Sequence, residues 1–165
     1  MRVFLAYFLF LFAAQGQTSN DFMKSGNAKF ELKDFQGAIS DFDKAIEIDS
    51  NSSLLYLQRG NAKLGLEQKR NAIKDYDKAI EFNPKEEMAY YYRGNAKWRL
   101  GDNNAALADY NKVIDINPKN AESYIQRGLL KISTGQKQYG CFDISTAFSL
   151  GLREEANQIM KYFCK

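Results

Sequence analysis

The residues of this chain that could do chemistry are carboxylates, lysines, amides and two cysteines, Cys141 and Cys164. Its 165 residues include no histidine. That excludes Ser-His-Asp and Cys-His catalytic arrangements and every histidine-ligated metal site. Two cysteines are also too few for a four-cysteine zinc site. Because the carboxylates are spread along the chain instead of clustering, we predict that the protein is not an enzyme, has no catalytic residue and needs no cofactor or metal.

Charge and composition narrow the function further. The 23 lysines and arginines are nearly balanced by 20 aspartates and glutamates, and the two signs alternate along the chain. Nucleic-acid binding needs a concentrated basic surface, so this distribution disfavours it. The 45% hydrophobic content over 165 residues is that of one or two ordinary folded domains. Composition and charge therefore argue against the commoner enzymes and against nucleic-acid binding, and they do not identify a partner.

The N-terminal segment has the pattern of a secretory signal peptide. Arg2 precedes an apolar run at 3–14, and Ala14 and Gly16 place small residues at the cleavage positions. Such a run spans about 18 Å as a helix, which is too short for a bilayer core of about 30 Å. We therefore predict a signal peptide at 1–16, no stable membrane span after its removal, and a periplasmic or secreted protein. The alternative is an uncleaved N-terminal anchor.

A repeat of 34 residues dominates the rest of the sequence. Its clearest marker is a set of four glycines spaced 34 residues apart: Gly26, Gly60, Gly94 and Gly128. The first three open the same tetrapeptide, Gly-Asn-Ala-Lys, and the only two prolines, Pro84 and Pro118, are also 34 residues apart. Self-similarity at this period is typical of stacked helical repeats. The register defines four units at 19–52, 53–86, 87–120 and 121–154.

Each unit is predicted to form two helices. In the second unit, apolar periodicity indicates helices over 54–66 and 70–82. Gly101 is placed to end a first helix, Asp102 to cap the N terminus of a second helix, and Pro84 to stop one.

The glycine within each first helix needs a compensating interaction. It costs about 1 kcal/mol relative to alanine, which predicts close contact between the two helices of a unit. At Gly60 we expect Ala72 and Ala79 of the second helix to make that contact.

These residues at fixed offsets resemble the tetratricopeptide repeat (TPR) family. In the second unit, the shared positions 4, 8, 20, 24, 27 and 32 are Tyr56, Gly60, Ala72, Tyr76, Ala79 and Pro84. The resemblance covers 136 of the 165 residues. It implies an all-α, right-handed superhelical solenoid of antiparallel helix pairs, with residues 155–165 as a C-terminal capping helix. The exported TPR proteins of bacteria are the most similar class.

Charged residues also recur at fixed positions of the units. Position 11, tyrosine in most of the family, is a lysine throughout: Lys29, Lys63, Lys97 and Lys131. In the second helices, aspartate and lysine recur three residues apart as Asp41/Lys44, Asp75/Lys78 and Asp109/Lys112. We expect these to be neighbouring pairs on a solvated convex face.

The resemblance implies a concave groove lined by the first helices and assigns the positions that face it. Position 9 supplies a ladder of amides, which can bond the backbone of an extended peptide. The third unit is rich in aromatic residues and arginine, the types that dominate binding energy at interfaces. The predicted peptide- or protein-binding set is Asn27, Asn61, Asn95, Leu57, Tyr91, Tyr92, Trp98 and Arg99. Two alternatives stay open: the aromatic rings pack between repeats, and the asparagines cap local backbone groups.

Cys141 and Cys164 fall in the fourth unit and in the capping segment. In an oxidising compartment such a pair forms a disulfide. Closing a loop of about 23 residues would contribute roughly 3 kcal/mol and hold the capping helix against the last unit. The alternative is two free, partly buried thiols.

The predicted function is a non-enzymatic scaffold that holds a peptide or protein segment in the groove. The alternative is a structural role, in which stacked repeats self-associate within an envelope complex. One class of the family is disfavoured, the co-chaperones that bind the acidic C terminus of cytosolic chaperones. They use two lysines, two asparagines and an arginine, and only one of those five positions matches here in either register.

Overall fold

The computed structural model describes residues 17–165, and within that range it consists of nine α-helices without strands. In chain order the helices are α1 (Ser19–Glu31), α2 (Phe35–Ile48), α3 (Ser53–Gly65), α4 (Lys69–Phe82), α5 (Glu87–Arg99), α6 (Asn103–Ile116), α7 (Ala121–Ser133), α8 (Lys137–Ser149) and α9 (Arg153–Phe163). The predicted signal peptide at 1–16 lies outside the described residues. None of the described helices is both long and apolar enough to span a membrane.

The helices pack as successive pairs. α1 packs against α2, α3 against α4, α5 against α6 and α7 against α8, while α9 packs against α8. The first helices of neighbouring pairs also contact one another, whereas no two second helices in the described range come into comparable contact. The stack therefore curves with its first helices on the inner side. This all-α solenoid of helix pairs is the fold that the sequence predicts.

The predicted turn residues lie where the helices end. Beyond α5 the chain reverses through Gly101 at a φ of +84°, a conformation that favours glycine. The Asp102 carboxylate then accepts a hydrogen bond from the backbone N–H of Ala105 and caps α6. α4 ends at Phe82, two residues before Pro84. These local signals confirm the helix boundaries that they predict.

The glycine of each first helix lies against a large side chain of the same unit. At Gly60 an added Cβ would lie 2.6 Å from Cε1 of Tyr76, a ring with no exposed surface. The close helix contact predicted at this position is present, and the atoms nearest to the glycine belong to the Tyr76 ring instead of the expected Ala72 and Ala79. Both alanines are fully buried in the same core cluster, where their small size lets α4 bring the tyrosine ring onto the glycine.

A buried aspartate in each second helix is held by cations of the first helix, an arrangement called here the aspartate clamp. Asp75 accepts hydrogen bonds from Arg59 at 3.0 and 2.7 Å, and it forms an ion pair with Lys63 at 2.7 Å. It is only 3% exposed. The expectation of a solvated Asp75/Lys78 pair is wrong, and Lys78 pairs with Glu81 instead. A spacing of three along one helix does not reveal which face of that helix is buried.

The aspartate clamp recurs in every unit and accounts for the lysine at position 11. The corresponding ion pairs are Lys29–Asp41 at 2.6 Å, Lys97–Asp109 at 2.8 Å and Lys131–Asp143 at 2.8 Å. Asp41 and Asp109 are therefore buried too, and the surface pairs expected with Lys44 and Lys112 are wrong for the same reason. A tyrosine at position 11 could not neutralise a buried carboxylate. The lysine that replaces the family's tyrosine is therefore explained by the buried aspartate that it faces.

The aspartate clamp also joins each unit to the one before it. Arg59 reaches back with Nη1 to Asp43 of the first unit at 2.7 Å. The equivalent bridges are Arg93 to Asp77 at 2.6 Å and Arg127 to Asn111 at 2.7 Å. Burial opposes the charge of Arg59, but its bonds to Asp75 and Asp43 outweigh that effect and raise the pKa of the guanidinium. In the first unit Ser25 takes the place of the arginine, and its hydroxyl donates to Asp41 at 2.6 Å.

The last helix covers the fourth unit and is held there by a disulfide. α9 begins at Arg153, two residues before the predicted capping segment 155–165. Its Ala156 is fully buried in the core cluster of the fourth unit. Cys141 of α8 and Cys164 are joined, with their Cα atoms 5.7 Å apart. Of the two alternatives open from the sequence, the structure therefore contains the disulfide.

Replacing Gly94 with leucine is expected to lower the melting temperature. An added Cβ would lie 2.9 Å from Cε1 of Tyr110, whose ring is fully buried and whose hydroxyl bonds Asn95. Overpacking of this kind costs about 1–3 kcal/mol. Thermal unfolding followed by circular dichroism measures the effect, with Ala108→Leu at an exposed position of α6 as the control. An unchanged melting temperature for Gly94→Leu would refute the packing argument.

Replacing Asp109 with alanine is expected to lower the free energy of unfolding by about 3 kcal/mol, because Arg93 and Lys97 then lose their buried partner. Urea titration measures the difference. The control is Asp115→Ala, which removes an exposed carboxylate from the same helix and should change stability by less than about 0.5 kcal/mol. Equal effects of the two substitutions would show that the aspartate clamp adds no stability.

The protein isolated under non-reducing conditions is expected to show no titratable thiol when it is denatured without a reductant. The physical reason is that both of its cysteines are consumed in one disulfide. A thiol-reactive chromophore measures the count, and a reduced sample serves as the positive control. Two thiols per chain in the unreduced sample would rule the disulfide out.

Candidate functional site

Seven of the eight predicted binding residues keep accessible surface on the first helices, and one does not. The exception is Leu57, which is 6% exposed and packs against Tyr76 and Ala89. Its place in the binding set is wrong, because this side chain points between neighbouring helix pairs and fills the core. The remaining seven, called here the inner groove, are Asn27, Asn61, Asn95, Tyr91, Tyr92 and Trp98, which are half-buried, and Arg99, which is exposed.

Buried tyrosines hold two amides of the inner groove. The Tyr76 hydroxyl donates to Oδ1 of Asn61 at 3.0 Å, and the Tyr110 hydroxyl donates to Oδ1 of Asn95 at 2.7 Å. The carbonyl side of each amide is thereby occupied. Nδ2 of Asn61 also donates a long hydrogen bond to Oε1 of Gln58 at 3.4 Å. An amide nitrogen carries two N–H groups, so each asparagine keeps a donor for a ligand. These bonds run to side chains, so Asn61 and Asn95 are tied to the core instead of capping local backbone. Asn27 has no such partner on its unit's core ring, which is a phenylalanine.

The aromatic rings of the third unit serve the core and the groove together. Tyr92 stacks on Tyr76 with ring centroids 6.2 Å apart, and Tyr91 meets Tyr92 edge-on at 5.4 Å. Trp98 packs against the core cluster that contains Tyr110. Burial raises the pKa of the Tyr91 hydroxyl. Packing between repeats, one of the alternatives open from the sequence, therefore describes one side of each ring, and the other side remains accessible.

Two pockets open along the inner groove and meet at Arg99. The first, of about 380 Å³, is lined by Asn95, Trp98, Arg99 and Gln126. The second, of about 340 Å³, is lined by Phe30, Phe35, Asn61, Leu64, Gly65, Glu67, Tyr92 and Arg99. The second combines aromatic and aliphatic walls with a few polar groups, the composition of a site that takes the side chains of a ligand. The first is formed by the Trp98 ring and three polar side chains. Within residues 17–165, no group of three or more cysteine or carboxylate side chains is arranged to hold a metal ion.

An exposed ion pair lies between the two pockets. Arg99 Nη1 is 3.4 Å from Glu67 Oε1. Lys69 and Arg99 together hold the pKa of the Glu67 carboxyl below its ordinary value. Exposed pairs of this kind contribute little stability, so both charges can exchange partners when a ligand arrives.

The predicted binding set omits five residues that line the second pocket: Phe30, Phe35, Leu64, Gly65 and Glu67. Phe30, Leu64 and Gly65 lie on first helices, whereas the other two do not. Phe35 opens α2, and Glu67 lies in the turn after α3 at a φ of +58°. The expected groove positions were drawn from first helices alone, and no spacing signal marks a turn residue or the start of a second helix. Gln126 of the first pocket does occupy a first-helix position and could have been found by the same rule.

Comparisons with known proteins match this architecture. Family models of the tetratricopeptide repeat match residues 22–52, 70–101 and 88–120. Among solved structures, MamA is 23% identical with a TM-score of 0.80, over 88% of this chain and 85% of that one. The first TPR of Spaghetti (RPAP3), bound to the HSP90 peptide SRMEEVD, is 24% identical with a TM-score of 0.70, over 73% and 96%. The Arabidopsis OM64 TPR domain is 26% identical with a TM-score of 0.68, over 69% and 94%. No curated protein matches significantly.

The structural likenesses, at these identities, show a shared fold. The family models identify the repeat itself. The matches at 22–52 and 88–120 fall on the pairs α1/α2 and α5/α6, and the match at 70–101 covers α4 and α5. The 34-residue period and the contact between glycine and the core ring agree with them. This chain belongs to the tetratricopeptide repeat family.

Proposed function

We propose that this protein is an exported scaffold that binds an extended peptide or protein segment along the inner groove. The observation that carries the proposal is the pair of amides at Asn61 and Asn95, each held by a buried tyrosine hydroxyl and each beside a pocket. Donors on neighbouring first helices can bond the backbone carbonyls of one segment while the pockets take its side chains. Because both amides are fixed before binding, little order is lost on association.

The charge of the inner groove indicates the kind of ligand. Lysines at position 11 are neutralised within the protein, Lys63 by Asp75 and Lys97 by Asp109. The Spaghetti (RPAP3) domain is bound to a peptide, SRMEEVD, whose last residues are acidic. The cation beside its amides is Arg99, which is paired with Glu67, so the groove of this chain offers an acidic tail fewer charge partners than a clamp of two lysines and an arginine would. The ligand that suits it is a neutral segment with apolar side chains.

Export is part of the proposal and draws support from two separate features. The segment at 1–16 has the composition of a signal peptide. The disulfide between Cys141 and Cys164 is of a kind that persists in oxidising compartments. A periplasmic or secreted location satisfies both, and places the protein with the exported bacterial members of the family.

Self-association of stacked repeats has less support. The arginine that joins each unit to the one before it is replaced by Ser25 in the first unit. If another unit followed the fourth, its arginine would find Ser145 at the repeat position where Asp43 and Asp77 accept in the first two units. An end-to-end stack of copies would therefore lack the ionic bridges that join the units within one chain.

Replacing both Asn61 and Asn95 with aspartate tests the donor pair. Aspartate still accepts the hydroxyls of Tyr76 and Tyr110 but offers no donor to a peptide carbonyl. Peptides selected on the wild-type protein from a random library are expected to bind the double variant about tenfold more weakly, since each lost hydrogen bond contributes about 0.5–1.5 kcal/mol. Fluorescence anisotropy with labelled peptides measures the Kd.

The matched control is Asn71→Asp with Asn104→Asp, which adds the same charge at exposed positions of two second helices. Both double variants should melt at the wild-type temperature, and the control should keep the wild-type Kd. Unchanged affinity in the Asn61/Asn95 variant would place binding on another surface. A selection that enriches no peptide at all would contradict the proposed function.

A further inference from the structure

Four large aromatic side chains project into solvent at the C-terminal end of the stack. Tyr139 and Phe142 on α8 are 68% and 73% exposed, and Tyr162 and Phe163 on α9 are 75% and 48% exposed. These four residues are called here the C-terminal aromatic patch. They lie outside both pockets of the inner groove. Exposed apolar surface gathered at one place marks an interaction site, whereas scattered single residues do not.

The register of the repeat shows that these rings do not serve the stack. Position 22 is exposed in every unit and is, in turn, Ser40, Lys74, Ala108 and Phe142. Position 19 is Gly37, Asn71, Ala105 and Tyr139. The same helix pairing is achieved three times with small or polar residues at both positions. The aromatic rings of the fourth unit therefore contribute something other than packing.

The disulfide brings the two pairs of rings together. Phe142 follows Cys141 in the chain, and Phe163 precedes Cys164, whose Cα atom is 5.7 Å from that of its partner. The Cys141 Sγ lies 4.0 Å from the carbonyl oxygen of Phe163. Tyr139 is one helical turn before Phe142 and shares its face of α8. Rings from two helices are thus held covalently at one end of the molecule.

The charged side chains next to the C-terminal aromatic patch in the chain are basic, while the exposed glutamates of α9, Glu154 and Glu155, lie in the first turn of that helix, about two turns before Tyr162. Segments 136–142 and 157–165 contain no aspartate or glutamate. Their exposed lysines are Lys137, Lys161 and Lys165. The next carboxylate along α8, Asp143, is 1% exposed and already paired with two cations of α7. Lys137 donates to the backbone carbonyl of Lys165 at 2.8 Å, which draws the positive charges of the two segments together.

We propose that the C-terminal aromatic patch docks on the surface of an anionic lipid membrane. Aromatic rings settle at the level of the lipid headgroups, where one side is apolar and the other is wet. Lysine ammonium groups beside them pair with the lipid phosphates. The patch is formed by a second helix and by α9, so the inner groove on the first helices stays open when the protein is docked. The proposal does not depend on the groove or on its ligand.

Two other occupants suit this surface less well. A second copy of the chain, docked by two-fold symmetry, would bring the lysines of both patches face to face. An acidic protein would satisfy the lysines, but the strongest contacts at protein interfaces are made in well-packed pockets, whereas these four rings protrude. A lipid surface satisfies both the rings and the charges.

Vesicle flotation tests the proposal on the protein beginning at Gln17, so that the apolar segment at 1–16 cannot itself bind lipid. All contacts described above lie within residues 17–165, and a cooperative melting transition verifies that this chain is folded. We expect flotation with vesicles of phosphatidylcholine and phosphatidylglycerol, weakened by added salt, and none with phosphatidylcholine alone. The triple variant Tyr139→Ser, Phe142→Ser, Tyr162→Ser is expected to lose at least about tenfold in apparent affinity.

The matched control is Leu32→Ser with Ile48→Ser, which removes apolar side chains that are 81% and 55% exposed in the first unit. It should float like the wild-type protein. Failure to bind the anionic vesicles, or equal binding by the triple variant, overturns the proposal. Analytical ultracentrifugation covers self-association: a dimer that becomes a monomer in the triple variant would assign the patch to a second copy and overturn the proposal as well.

Discussion

Every helix pair of this protein is built around a carboxylate that has been taken out of water. Asp75 is nearly inaccessible, and its charge is balanced by Arg59 and Lys63 of the facing helix. An uncompensated buried charge costs several kcal/mol, so α4 can lie only where those two cations reach its aspartate. That requirement fixes how far α4 can slide or turn against α3. The same register brings the ring of Tyr76 onto Gly60, and the glycine contact thus depends on the ionic one.

Tyr76 connects the packing of the core to the position of a side chain in the inner groove. Its ring is buried against Gly60, while its hydroxyl holds the amide of Asn61, the next residue along α3. The third unit repeats the arrangement with Tyr110 and Asn95. Because Arg93 also bonds an aspartate of the preceding unit, the spacing between neighbouring amides is set by ionic contacts as well. The groove is therefore preorganised by the residues that close each pair, which favours a scaffold over an adaptable surface.

The two proposed contact surfaces lie on different parts of the stack. The inner groove belongs to first helices, whereas the C-terminal aromatic patch belongs to α8 and α9 and is held together by the disulfide. In the proposed arrangement one face holds a peptide segment while the end of the stack rests on a membrane. If the stack docks on a membrane through its C-terminal end, the other helix pairs remain accessible to a partner.

Much of the fold follows from the sequence alone, since the 34-residue period, Gly101, Asp102 and Pro84 act through local backbone geometry. The groove residues of the third unit could also be named, because they share one face of one helix. Tertiary structure decided what depends on a second element: the burial of Leu57 and Asp75, the tyrosine bonds to the asparagines, and the entry of Glu67 into a pocket. Helical spacing specifies which residues share a face. Only the packing of one helix on another specifies whether that face meets water, an ion or a ring.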